Sequence, residues 1–275
     1  NDAIFYTSGR TSNEAAFLWQ LLARGFGTNN LPDCSNMCHE SSGFALSDSI
    51  GIGKGTVKLE DFNKADLILV LGQNPGTNHP RMLTALRDAR KNGASIISIN
   101  PLIETGMKKF KHPQNPLEML GSGKSIADQH VRVQINGDLA LFRGINNLLL
   151  KDEMYDLIFI DNFTSNFDAY KESISEVEWS VIEEISGISN SEIRSLANVI
   201  AKSKSMITCW AMGITQHHNS VETIQEIVNT HLIGGHIGRE GAGHARCEQR
   251  ERVEPRAGPG WEEDPRCRWR GDGLP

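Results

Sequence analysis

The sequence predicts a doubly wound α/β fold, in which a mostly parallel sheet has helices on both faces. Residues 67–71 form a short apolar run between Asp66 and Gly72, which is typical of a buried strand. A polar turn, an amphipathic helix over 81–93 and a second apolar run at 94–100 follow it. Strand, turn, helix and strand within about 35 residues form the βαβ unit of a nucleotide-binding sheet. Residues 206–232 repeat the strand, turn and helix part of this pattern.

Composition and charge limit the classes of function. The chain has 275 residues and a formal net charge of −6, so it can bury a full core and does not favour nucleic acid as a partner. No apolar run approaches the roughly 20 residues that span a bilayer, and no signal peptide is recognisable, so we expect a cytoplasmic protein. Five cysteines without a secretion signal favour reduced thiols or metal ligands over a disulfide framework.

Caps and apolar periodicity predict the remaining elements. Residues 1–9 are predicted to form a strand, and 11–25 a helix that buries Ala15, Leu18, Trp19 and Leu22. A polar loop is expected over 27–40, and mostly irregular structure between 102 and 128. Later elements are a third strand at 130–137 and helices over 138–150, 153–184 and 189–201, with Phe159, Phe163, Phe167 and Trp179 expected in the core.

Two turns are candidates for ligand binding, because each follows a strand of the same predicted sheet. The first, 72–78, offers backbone N–H groups, amides and a hydroxyl, which suit a phosphate or a guanine edge near a helix N-terminus. An ordinary βα loop is the alternative, since neither a G-x-G-x-x-G nor a P-loop spacing is present. With the second turn, 211–219, two strand ends present polar groups, as a large dinucleotide requires.

The segment with Cys34, Cys38 and His39 is a candidate metal site, because thiolate and imidazole are common metal ligands. A zinc site would need a second pair of ligands, and none appears at matching spacing. Cys34 is better explained as a small buried thiol. Cys38 is the better candidate, since His39 beside it can assist thiolate formation or proton transfer.

Other reactive side chains have simpler interpretations. His217 and His218 follow a turn, where they can cap or flank a helix instead of binding a ligand. Cys209 lies inside an apolar strand and is expected to pack. Trp210, at the strand end, either stacks on a ligand ring or closes the core.

Several motifs in register resemble one family, the formate-dehydrogenase-like molybdopterin oxidoreductases of the FdhF/YdeP type. They keep the family order and cover about residues 1–243. The motifs are 33–40 (DCSNMCHE), 51–56 (GIGKGT), 72–83 (GQNPGTNHPRML), 113–119 (PQNPLEM) and 213–216 (GITQ).

The resemblance implies a bis-(molybdopterin guanine dinucleotide) cofactor that binds molybdenum or tungsten. Cys38 falls where family members place the cysteine or selenocysteine that ligates the metal, and His39 where formate dehydrogenases have a histidine. A soft thiolate suits such a metal, and an imidazole can accept the proton of two-electron chemistry. The positions that match family contacts to one guanine dinucleotide are Gly72, Asn74, Thr77, Asn100, Pro101, Met212, Gly213 and Gln216.

The absence of an initiator Met indicates that the start has been cut away, and the resemblance implies that the chain is an internal piece of a family member. Its expected parts are 1–32 of a preceding α/β segment, a dinucleotide-binding domain over 33–243 and an aberrant, disordered tail over 244–275. From Ala245 on the residue usage changes abruptly, with seven Arg and no Lys. In the family this region has a motif whose arginine orients substrate, and this chain departs from that motif. We therefore expect this chain alone to be catalytically inert.

The sequence thus predicts part of an enzyme that carries out two-electron redox chemistry on a small-molecule substrate. An electron-transfer protein is the expected partner, and the family often has a 4Fe–4S cluster in its amino-terminal part. Formate is an uncertain substrate, because Glu40, Ser41 and Ser42 stand where formate dehydrogenases have Gly-Pro-Ser. The rival hypothesis is a non-catalytic nucleotide-binding α/β module, in which Cys38 is only a buried thiol.

Overall fold

A parallel sheet forms the centre of the part of the chain that the structure describes. The computed structural model describes residues 3–7, 11–32, 34–114, 116, 119, 121–246 and 267–269. The strands are β1 (Leu67–Leu71), β2 (Ser95–Ile99), β3 (Gln129–Val131), β4 (Thr164–Ser165), β5 (Met206–Trp210), β6 (Gly243–Arg246) and β7 (Cys267–Arg268). Five of them form one sheet in the order β3-β2-β1-β5-β6, with parallel pairing throughout. The predicted doubly wound parallel sheet is confirmed.

The strand order reverses next to β1. Leu69 of β1 pairs with Ile97 of β2 on one side and with Thr208 of β5 on the other. The chain winds outward from β1 through β2 to β3 and only then returns to β5. In open α/β sheets such a reversal leaves a crevice outside the carboxyl ends of the two central strands, and ligands bind there.

Helices cover both faces of the sheet, as the sequence predicts. They are α1 (Asn13–Gly25), α2 (Cys34–Ile50), α3 (Pro75–Asn78), α4 (Pro80–Lys91), α5 (Thr105–Lys108), α6 (Asp138–Lys151), α7 (Leu157–Phe163), α8 (Phe167–Ser175), α9 (Trp179–Ser186), α10 (Asn190–Lys202), α11 (Met212–Thr215) and α12 (Ser220–Ile233), with a 3-10 helix at Leu59–Lys64. One face of β1, with Leu69 and Leu71, packs against α2, α6, α10 and α12. The other face, with Ile68 and Val70, packs against α4 and the 3-10 helix.

Local sequence signals predicted the helices of the core well. Ser189 and Glu192 form the expected capping box of α10, in which the Ser189 side chain accepts from the backbone N–H of Glu192. The helices predicted over 138–150 and 220–232 correspond to α6 and α12. The stretch 153–184 is helical but breaks into α7, α8 and α9, and Phe163, predicted in the core, is 57% exposed.

The amino-terminal part differs from the prediction. Residues 3–7 are not a strand, and Leu18 and Leu22 of α1 are 63% and 45% exposed instead of buried. The ring of Phe5 contacts Trp19 and Phe26, with centroids 5.6 and 5.4 Å apart. Phe5 therefore packs against α1 and the residue after it, and the apolar periodicity of α1 does not mark a face that the described chain buries.

Two other predictions need correction. The third strand, predicted over 130–137, is limited to β3, which pairs with only three residues of β2. The region expected to be irregular contains α5 and an antiparallel bridge between Phe110 and Lys124.

The described part of the carboxyl terminus packs against the domain. Residues 243–246 form β6, which pairs with β5, so the predicted boundary between 243 and 244 falls inside a strand. Trp269 is buried and stacks on Tyr170, with centroids 5.0 Å apart. Most of the predicted tail, residues 247–266 and 270–275, lies outside the described residues, and the division into domains stays a prediction.

A buried histidine connects α12 to β5 behind the reversal point. His231 Nε2 lies 2.8 Å from Thr208 Oγ1, and His231 Nδ1 lies 3.3 Å from the carbonyl oxygen of His236. Burial lowers the pKa of His231 from 6.5 to about 4, with a small opposing effect of the bond to His236. The folded state therefore favours the neutral form of the His231 side chain.

We predict that His231→Gln makes stability less sensitive to acid. Because the folded pKa is lowered, His231 stabilises the fold fully above pH 6.5 and loses that contribution as the pH falls toward 4. Between about pH 7.5 and about pH 5, urea unfolding should show roughly 2 kcal/mol less acid destabilisation in the variant than in the parent chain. His218→Gln is the control, since His218 is exposed. Equal pH dependence in all three chains would contradict this account.

Candidate functional site

The ends of β1 and β5 meet through two glycines. Gly213 N donates to the carbonyl oxygen of Gly72 over 3.0 Å, and Gly72 has a φ of +52°. A Cβ on Gly72 would lie 2.7 Å from Gly213 C, and one on Gly213 would lie 2.5 Å from Gly72 Cα. Only glycine therefore allows the two turns to touch at the point where the strand order reverses.

The turn after β1 is more ordered than predicted, because it contains the short helix α3. Asn74 caps this helix: its Oδ1 accepts from Thr77 N over 3.2 Å, while its Nδ2 donates to Glu104 Oε2 over 2.6 Å. Thr77 is exposed. The amide of Asn74 thus organises the turn and ties it to the segment after β2.

Asn100 extends this arrangement to β2. Its Nδ2 donates to the carbonyl oxygen of Gln73 over 2.9 Å, and its backbone N donates to the carbonyl oxygen of Val131 over 3.0 Å. Pro101 follows at the same edge of the sheet and is partly buried. The predicted residues of the first turn and of the β2 end therefore form one connected edge.

The turn after β5 contains the helix α11. Met212 at its start is 54% exposed, whereas the hydroxyl of Thr215 is buried and has no hydrogen-bond partner in the described part of the chain. Gln216 follows the helix and is exposed. This turn therefore presents a flexible apolar side chain, an amide and an unsatisfied hydroxyl beside Gly213.

Cys38 and His39 lie in a helix and not in the predicted loop. The 17-residue helix α2 is kinked at His39, whose φ of −133° and ψ of 21° are not helical. Cys38 is a free, half-buried thiol, and His39 is 4% exposed. Gln216 Nε2 donates to the carbonyl oxygen of Cys38 over 3.3 Å, so the structure brings Cys38 next to the second turn.

The segment after the kink is attached to the same strand end. Trp210 Nε1 donates to Ser42 Oγ over 2.9 Å, and both residues are fully buried. Ser41 Oγ lies 3.5 Å from the carbonyl oxygen of Thr215. Sequence reasoning missed Ser42 and Glu104, because a single polar residue in a helix or loop gives no local signal of a partner far away in sequence.

The remaining candidates take mainly structural positions. Cys209 is buried on the opposite face of β5 from Trp210, as predicted for packing. Trp210 is completely buried, which resolves its two interpretations in favour of closing the core. His217 is partly buried and His218 exposed, just before α12. The side chain of Cys34 lies outside the described part.

A cleft of about 560 Å³ opens beside the first turn, on the α4 face of the sheet. Its lining includes Cys209, Phe62, Met82, His79 and Arg81. Within the described ranges, no group of three or more His, Cys, Asp or Glu side chains is arranged to bind a metal ion. The helices described in these ranges include none that is long and apolar enough to cross a membrane.

Comparison with known proteins identifies the family to which this chain belongs. The family model of the molybdopterin oxidoreductases matches residues 1–254, and the chain therefore belongs to that family. Acetylene hydratase from Pelobacter acetylenicus has the same fold, with a TM-score of 0.63 and 24% identity over 82% of this chain and 28% of that chain.

Individual relatives are similar over most of the chain. An uncharacterized oxidoreductase of Mycobacterium tuberculosis is 52% identical over 247 residues, or 88% of this chain and 32% of that protein. Protein YdeP of Escherichia coli is 49% identical over 254 residues, covering 88% of this chain and 34% of YdeP. Formate dehydrogenase H of Escherichia coli is 31% identical over 246 residues, covering 88% and 32%. The chain thus spans about a third of the length of these relatives.

We predict that Gly213→Ala destabilises the chain by roughly 2 to 4 kcal/mol, because its Cβ would push the two turns apart. The control is Gly25→Ala at the end of α1, where an added Cβ would meet nothing within 4 Å. That change should alter the free energy of unfolding by about 1 kcal/mol or less. Urea unfolding measures both. Equal effects of the two substitutions would show that the turns are not in the contact described.

Proposed function

We propose that this chain forms part of the cofactor-binding region of an oxidoreductase that uses bis-(molybdopterin guanine dinucleotide) with molybdenum or tungsten. The observation that carries the proposal is the convergence of three segments. Gly72 and Gly213 touch at the reversal point of the sheet, and Gln216 joins the second turn to the backbone of Cys38. A crevice of this kind is where doubly wound sheets bind dinucleotides.

The side chains present fit such a cofactor. The buried hydroxyl of Thr215 has no partner among the described residues, and an unsatisfied buried polar group favours a ligand that supplies one. Gln216 and the exposed Met212 lie beside it. Guanine and phosphate groups need amide, hydroxyl and backbone N–H partners, which both turns provide.

Within this proposal Cys38 is the metal ligand and His39 the proton partner. A bound molybdenum or tungsten pterin supplies the two-electron redox chemistry. The thiolate of Cys38 suits a soft metal, the thiol is half-buried, and the backbone of Cys38 accepts a hydrogen bond from Gln216 of the second turn. His39 is nearly excluded from water beside it, where an imidazole can accept or release the proton that accompanies two-electron transfer.

The substrate class is a small molecule, and formate is one candidate because formate dehydrogenase H is among the relatives. Glu40, Ser41 and Ser42 follow His39 in this chain. The Ser42 hydroxyl accepts a hydrogen bond from the Trp210 indole, and the Ser41 hydroxyl lies 3.5 Å from the carbonyl oxygen of Thr215. Both hydroxyls therefore contact groups of the protein itself. An electron-transfer partner, a 4Fe–4S cluster in a longer product and a cytoplasmic location stay predictions of the sequence.

The rival proposal is a nucleotide-binding module without redox chemistry. Metal and pterin analysis of the complete gene product separates the two proposals. Molybdenum or tungsten with two pterins per chain supports the oxidoreductase. A metal-free protein that binds a nucleotide supports the module and would overturn the cofactor assignment.

Cys38→Ala in the complete gene product is predicted to abolish turnover with little effect on the fold, because the half-buried thiol contributes little to the core. The measurements are activity and thermal midpoint in parallel. Cys34→Ala is the control, since it removes a neighbouring thiol of the same helix and should preserve turnover. Wild-type activity in the Cys38 variant would refute its assignment as the metal ligand.

A second prediction compares two helix caps. Asn74→Ala and Asp156→Ala each remove a side chain that caps a short helix, α3 or α7, and each should cost about 1 kcal/mol of stability. Only Asn74 lies at the proposed cofactor edge. Pterin content of the purified complete product should therefore fall in the Asn74 variant and not in the Asp156 variant. An equal content in both would mean that this edge does not bind the cofactor.

A further inference from the structure

The kink of α2 is attached at two points, one at the end of β5 and one in the turn that follows β5. Trp210 donates to Ser42 Oγ on one side of His39, and Gln216 donates to the carbonyl oxygen of Cys38 on the other. The backbone dihedrals of His39 are not helical, so a kink joins the two parts of α2 there. The helix alone therefore does not determine where Cys38 lies, and bonds from outside the helix contribute to its position.

The Ser42 bond is the stronger of these constraints. Both partners are 0% exposed, and the indole N–H of Trp210 can only donate a hydrogen bond, so it needs an acceptor in the core. Any movement of the segment after the kink would leave that N–H unpaired in the core, which costs more than losing a bond at the surface. The Gln216 bond is longer, at 3.3 Å, and exposed to solvent.

We propose that Ser42, through its bond to Trp210, is a positioning residue for the Cys38 thiol, and that Gln216 supports the same position. This inference rests on the proposed function, in which the thiol binds the metal. Trp210 ends the strand from which Met212 and Gly213 follow. One strand end would then align both the thiol and the cofactor contacts, and small displacements of such groups reduce activity strongly.

The test measures the thiol itself and needs no cofactor. The purified 275-residue chain carries Cys34→Ser, so that Cys38 is the one thiol in its part of the helix, and iodoacetamide alkylation is followed by peptide mass spectrometry. Ser42→Ala should raise the alkylation rate of Cys38 about fivefold, the population shift expected from loss of one buried hydrogen bond. The rate of Cys209, buried on the other face of β5, should not change.

Ser49→Ala is the matched control. Ser49 is on the same helix and 0% exposed, and its hydroxyl has no partner among the described residues. Its removal should leave both rates at the parent values. An unchanged Cys38 rate in Ser42→Ala would overturn the proposal, and so would a parallel rise at Cys38 and Cys209, because that indicates general loosening.

If Ser42→Ala does not fold, the alkylation rate of Cys38 in Gln216→Met tests the proposal instead. It removes only the exposed donor to the Cys38 carbonyl, and it should raise the Cys38 rate without changing that of Cys209. No change at Cys38 would overturn the proposal. Failure of the proposed function is recognised separately, by full metal content and activity of Cys38→Ala in the complete gene product, whatever the alkylation rates.

Discussion

The backbone contact between Gly72 and Gly213 is the constraint on which the candidate site depends. A Cβ at either position would lie within 2.7 Å of the other turn, so neither position accepts a larger residue without separation of the turns. The contact occurs between β1 and β5, the two neighbouring strands at which the winding of the sheet reverses direction. Without it the groups of the two turns would lie on separate loops and would not form one surface.

The second turn is supported from the core side. Glu226 of α12 accepts from Tyr170 Oη over 2.6 Å and from Asn146 Nδ2 over 2.9 Å, and all three side chains are buried. Burial raises the pKa of Glu226, while these bonds and Arg143 favour its charged form. Polar groups that are satisfied in this way fix the relative positions of helices, so α12 offers a rigid continuation of the turn. His231 adds the link from α12 to β5.

The elements that the sequence predicted well are those whose cause is local. The strands 67–71 and 206–210 are short apolar runs between polar breakers, and the capping box of Ser189 and Glu192 marks a helix by itself. Glycine-containing polar turns at two strand ends identified in advance the two turns that meet at Gly72 and Gly213. The family motifs then named residues that the structure places on that edge.

Long-range contacts explain what the sequence did not reveal. Leu18 and Leu22 have helical spacing, yet the described chain does not bury them. The segment around Cys38 lacks apolar periodicity because its helix is kinked and its polar residues bond to β5. Glu104 and Ser42 have partners 30 and 168 residues away, and no pattern of neighbours encodes such pairs.

In the proposed function, both turns and the Cys38 segment contact one bound cofactor. Hydrogen–deuterium exchange on the complete gene product, with and without its cofactor, tests this most directly. We expect added protection in three peptides together, those that contain Gly72, Gly213 and Cys38, and none in α10. Protection that omits either turn, or that is absent around Cys38, would contradict it.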